Sequence, residues 1–142
     1  MLDALDEMPW SELHCACGSA AHVPGSVRGL LSSDPALVER AYWQLENHVV
    51  AQGHLSDSAL HLLPTLFEVL ALAPHPGSTL RLLFEIGNSW TEGPNATTCY
   101  QLVVSGLERQ LTRNPTDALH QAITQDLADL RALHTTAGAR LP

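Results

Sequence analysis

The chain has 142 residues, enough for one domain with a real core. Aromatic residues make up 5% of it against 45% apolar residues in all, so the core must be built from Leu, Val and Ala, a mixture that suits helices better than strands. Lysine is absent, and seven Arg stand against 15 Asp and Glu for a formal net charge of −8, which disfavours nucleic acid and anionic membrane surfaces as partners and favours basic proteins.

In chain order, the acidic opening (MLDALDEMPW) lacks the basic-then-apolar pattern of a secretory leader. Ser11 to Cys17 are expected to make one or two helical turns ended by Gly18. A helix from about His22 to Leu31 carries Pro24 in its first turn, where the missing N–H costs nothing. Ser32-Ser33-Asp34-Pro35 stops one helix and starts another, with Asp34 as cap and Pro35 at the first position. Val38, Ala41, Tyr42, Leu45 and Val49 then recur at helical spacing and define a buried face. That helix should end near Gln52, before Gly53.

Ser56-Asp57 caps the next helix, which bears Leu60, Leu63, Leu66, Phe67 and Leu70 and is apolar nearly all round. Pro64 inside it predicts a kink or break. Ala73 to Gly77 form a turn. Leu80, Leu83 and Ile86 place a helix from about Ser78 to Asn88, and Trp90 to Asn95 form a polar loop. A helix from about Ala96 to Leu111 turns Cys99, Leu102, Val103 and Leu107 inward. Asn114-Pro115 repeats the cap-plus-proline device before a last helix with Leu119, Ile123, Leu127 and Leu130. The tail from Thr135 should be loose. No apolar run reaches the roughly 20 residues that span a bilayer, and the expected location is the cytoplasm.

These elements repeat. Pro24 and Pro64 are 40 residues apart, and Val27, Phe67 and Leu107 are spaced 40 and 40. Leu31, Leu72 and Leu111 each precede a proline by four residues, at Pro35, Pro76 and Pro115. Arg40 and Arg81 follow the first two of those prolines by five. A period of about 40 residues with two helices in each is the mark of stacked helix pairs. The expected fold is therefore all-α, an α-α superhelix of about three pairs: 10–52, 56–90 and 95–134, forming one domain over residues 1–142.

The residues that carry chemistry elsewhere are weak here. His14, Cys15, Cys17 and His22 are metal-like types, but cysteines two apart on a helix face different ways and zinc needs four convergent ligands. His48, His54 and His61 read as surface and capping residues. Cys99 reads as a small core residue. Neither a phosphate-binding glycine loop nor a nucleophile elbow is present. No enzyme activity, cofactor or metal is expected.

The pattern resembles HEAT repeats, in which the first helix often holds a proline and an Asp in the turn precedes an Arg by six residues. Pro24, Asp34 and Arg40 fit this in the first repeat. Pro64 and Arg81 fit it in the second, where His75 replaces the Asp. Asn114 and Gln121 stand near these positions in the third. The opening is also similar to short bacterial HEAT-like proteins found in polymorphic toxin loci and regarded as immunity proteins: Trp10, Leu13, Gly18, Ala20 and Val23-Pro24, then His48 and Gln52-Gly53. In those relatives the His, Gln and Gly tend to adjoin, which they do not here.

The resemblance implies that the second helix of each pair lines the concave face. This points to Trp43, Glu46, Arg81, Glu85, Trp90 and Glu92 as a partner-binding surface, since aromatic residues ringed by acids suit a binding hot spot. The implied function is that of an immunity protein occluding the catalytic domain of a secreted toxin. A basic domain such as a nuclease would fit the acidic charge. A scaffold that binds a regulatory protein or peptide is the alternative, and oligomeric state is left open. HEAT-like DNA glycosylases grip phosphates with a basic concave face, which the charge of this chain argues against.

Overall fold

The computed structural model describes residues 14–15, 18–19, 23–49, 57–88, 94–113 and 115–140. It is all-helical apart from a two-residue ladder: β1 (His14–Cys15) pairs antiparallel with β2 (Gly18–Ser19), His14 opposite Ser19 and Cys15 opposite Gly18. The helices are α1 (Val23–Gly29), α2 (Pro35–Val49), α3 (Asp57–Leu72), α4 (Gly77–Gly87), α5 (Pro94–Leu111) and α6 (Asp117–Arg140). None of the described helices is long and apolar enough to cross a membrane.

The start of α2 follows from its sequence. The Asp34 carboxylate accepts a hydrogen bond from the Ala36 N–H at 3.0 Å, and the Asp34 carbonyl accepts from Val38 at 3.1 Å. Pro35 occupies the first helical position, where it has no N–H to leave unmet. Helix α3 runs unbroken through Pro64 rather than stopping there. The Pro64 side chain is exposed, so the ring occupies solvent-side space and the missing bond is confined to one turn.

Other expectations are corrected. Residues 14–15 are extended and paired, not helical, because Gly18 serves a strand pairing instead of a helix cap and β1 packs against α3. The cap of α6 is Thr116, while Asn114, named above for this role, lies outside the described residues. The Thr116 hydroxyl accepts from Leu119 N–H at 3.3 Å and its carbonyl from His120 N–H at 2.8 Å. Pro115 therefore precedes the cap. Helix α5 begins at Pro94, two residues before the expected start, with proline at its first position. Helix α6 continues to Arg140 instead of loosening at Thr135. Once a helix is formed each added residue gains a bond, and the sequence offers no proline until Pro142.

Packing follows the chain: α1 lies on α2, α3 on α4 and α5 on α6. In addition α3 packs on α5, while α4 contacts both α2 and α6. One continuous core results, with Val27, Leu45, Leu66, Leu83, Leu107 and Ile123 all fully buried. Cys99, Val103 and Leu107 share the inner face of α5 as expected. Leu102 does not, being 39% exposed at the edge of that face.

Close approach between α1 and α2 depends on Gly29. A Cβ there would sit 2.8 Å from the Ala41 Cβ. Both atoms are fixed to helical backbone, and neither can rotate away. Gly29→Val is therefore expected to lower stability by about 1–3 kcal/mol in thermal or urea unfolding, with part of the loss recovered by adding Ala41→Gly.

Candidate functional site

Four of the six residues singled out from sequence come together on α2 and α4: Trp43, Glu46, Arg81 and Glu85. Trp90 and Glu92 lie outside the described residues. The joining residue is Tyr42, which periodicity placed in the core. Its ring is buried, yet its hydroxyl donates a 2.5 Å hydrogen bond to Glu85 Oε1. Arg81, one turn before Glu85 on α4, places Nε 3.4 Å from the same oxygen. The Arg81 guanidinium carbon lies 5.1 Å from the Tyr42 ring centroid and 5.6 Å from that of Trp43. The two rings meet edge to face, with centroids 5.1 Å apart and planes at 73°.

Each of these contacts is modest. An exposed cation–π contact contributes about 0.5–1 kcal/mol and an exposed ion pair about 0–1 kcal/mol. Their joint effect is to hold one half-exposed ring in place. Trp43 remains 43% exposed, packed against the Tyr42 ring and close to the Arg81 guanidinium. An aromatic side chain pre-ordered in this way loses little entropy when a partner covers it.

The electrostatics point the same way. Burial, and then the hydrogen bond to Glu85, hold the Tyr42 phenol far above its ordinary value, so it remains a donor. Glu85 Oε2 is buried and has no hydrogen-bond partner among the described residues. Burial pushes the Glu46 carboxyl up, the charge of Glu85 pushes it further, and Arg81 opposes both. Arg81 pairs with Glu85 and acts on Glu46 only through its charge, so two carboxylates stand against one guanidinium beside Trp43.

That arrangement predicts a pH dependence. An acid whose folded value lies above its unfolded value leaves the native state holding more protons in the interval between them. Its contribution to stability is then fully present below the unfolded value and is lost as pH rises through the folded one. Glu46→Gln should be more stable than the parent at pH 7. The gap should close as pH falls below the ordinary carboxylate range, where Glu46 is protonated in both states. Urea midpoints measured from pH 7 down to about pH 3, below the ordinary glutamate value of about 4.3, check this; a gap that widens on acidification would contradict it.

Beside the cluster, a shallow cavity of about 220 Å³ lies between the start of α2 and the start of α4, walled by Val38, Tyr42, Trp43, His75 and Arg81. His75 closes one end, its Nε2 3.0 Å from the Ser33 carbonyl oxygen. This histidine links the turn before α2 to the turn before α4.

Sequence reasoning missed Tyr42 and His75. Both act across a separation that local periodicity does not register: 43 residues from Tyr42 to Glu85 and 42 from Ser33 to His75.

Comparisons with protein-family models, with curated proteins and with solved structures return no match.

Proposed function

We propose that this chain is a stack of three HEAT-like helix pairs that works in the bacterial cytoplasm as an immunity protein, binding and occluding the catalytic domain of a cognate secreted toxin. The observation that carries the reading is the Trp43 surface: a half-exposed tryptophan, pre-ordered by Tyr42 and Arg81 and flanked by Glu46 and Glu85. Tryptophan and arginine are the residues most enriched in binding hot spots. Glu46 and Glu85 set two carboxylates against the single Arg81 guanidinium beside the Trp43 ring, and an Arg or Lys from a basic partner would balance the excess negative charge.

The stacked-pair architecture is supported by three hydrogen bonds between helix pairs. Tyr42 to Glu85 spans 43 residues, Gln110 to the Phe67 carbonyl spans 43, and His75 to Ser33 spans 42. Each is close to the sequence period. Occlusion requires no turnover: an acidic surface of net charge −8 attracts a basic cleft at long range, and the aromatic anchor slows release.

The test is coexpression of the tagged chain with the toxin domain encoded by the neighbouring gene. A one-to-one complex together with restored growth is the expected outcome. Growth arrest with nothing retained on the tag removes the immunity reading.

A further inference from the structure

We infer a second binding site, in the groove between α3 and α5, for a small amphiphile with an aliphatic body and a single anionic head. This site shares no residue with the Trp43 surface and stands independently of the partner-binding reading. The groove encloses about 410 Å³, within the roughly 300–1,000 Å³ typical of small-molecule pockets. Leu63 forms part of its lining as a fully buried side chain, Leu60 and Phe67 are half-buried, and Leu102 leans in from α5 with 39% of its surface exposed. The exposure of Leu102, anomalous for the face that periodicity assigned it, is explained if something apolar covers it.

Two features shape this groove. Gly106 on α5 presents no side chain, and a Cβ at that position would collide with the Phe67 ring. The ring therefore lies directly against the α5 backbone, and the groove beside it keeps its depth. Gln110, nearly buried, donates from Nε2 to the Phe67 carbonyl at 3.3 Å and ties the two helices together below the opening.

The head-group preference comes from charge. Arg109 in the last turn of α5 and Arg113 in the turn just past its end both line the groove. Two of the seven basic residues in a strongly acidic chain thus meet at one opening. Glu68 lines it from α3, leaving a local excess of one positive charge. A guanidinium pair recognises a carboxylate through paired N–H donors, while Glu68 and the overall charge disfavour a multiply charged ligand. The occupant that satisfies both ends is a long-chain monocarboxylate.

Calorimetric titration of the full chain with laurate, kept below its micelle concentration, tests this against dodecanol as the neutral analogue. One laurate per chain is expected, bound at least tenfold more tightly than dodecanol. Arg109→Gln with Arg113→Gln should bring laurate down to the affinity of dodecanol and leave dodecanol unchanged. Both arginines are exposed, so the double variant should keep the parent's thermal midpoint. Amide shifts induced by laurate should centre on Leu102 and Gly106. Equal affinity for both probes, several laurates per chain, no binding, or indifference to the arginine substitutions would each overturn the site.

Discussion

Leu83→Ala is expected to lower the unfolding free energy by about 2–5 kcal/mol, the largest loss from any single truncation considered for this chain. Leu83 is fully buried on α4, and α4 is the helix that contacts α2, α3, α5 and α6. A void there cannot be filled by the shift of one neighbour, since several helices would have to move together. The cavity term therefore adds nearly in full to the lost transfer energy. Domains of this size are commonly stable by only about 5–15 kcal/mol in total, so the substitution removes a large share. Urea unfolding should show a lower midpoint with an unchanged slope. Leu102→Ala is the control: its side chain is 39% exposed, and the loss should stay below about 1 kcal/mol. Equal losses at the two positions would mean that α4 is not the centre of the core.

Trp43→Ala is expected to weaken partner binding by about 2–4 kcal/mol, a factor of thirty or more, and to change stability by less than about 1 kcal/mol. The asymmetry follows from geometry. The ring contributes little to the core because it is half-exposed, and its organised state matters only when a partner covers it. Leu37, also on α2 and 46% exposed, has none of these supports, and Leu37→Ala should alter affinity less than threefold. Calorimetry with the captured partner distinguishes them. Arg81→Ala combined with Trp43→Ala should cost less than the sum of the two single changes, because Arg81 acts partly by holding the ring. Additive losses would make Arg81 an independent contact, and a Trp43 effect no larger than that of Leu37 would move the interface elsewhere.

Much of the fold was legible because the chain uses strong local signals. Asp34-Pro35 marks the start of α2, and the spacing of Val38, Ala41, Tyr42 and Leu45 identifies a face that is in fact buried. The failures occurred where local signals compete. Thr116 is as competent a cap as its neighbours in sequence, and its use depends on where α6 must begin to bring Ile123, Leu127 and Leu130 onto the core. Gly18 suits a helix end and a strand pair equally well, and packing on α3 decided between them. Leu102 lies on the border of an apolar stripe, so only the position of α3 determines whether it is covered. For the candidate site, Trp43, Glu46, Arg81 and Glu85 were grouped by what the HEAT resemblance implies, that the second helix of each pair lines one face. The Tyr42 hydroxyl could not be added to them, because hydropathy scores the ring and is blind to the reach of its oxygen.

Three hydrogen bonds among the described residues join segments distant in sequence and close loops of almost equal length, 42 or 43 residues. The entropy of closing a flexible loop depends on its length, so each junction faces nearly the same search, and none requires the distant ends of the chain to meet. If the chain is the stack of helix pairs proposed above, folding can begin at any such junction and spread to its neighbours, at a speed set by the span of one unit rather than by the whole chain. A chain organised in this way can be lengthened by a whole period without slowing the steps already present. Gain or loss of a unit in evolution would then alter how much surface is displayed while leaving the assembly route intact.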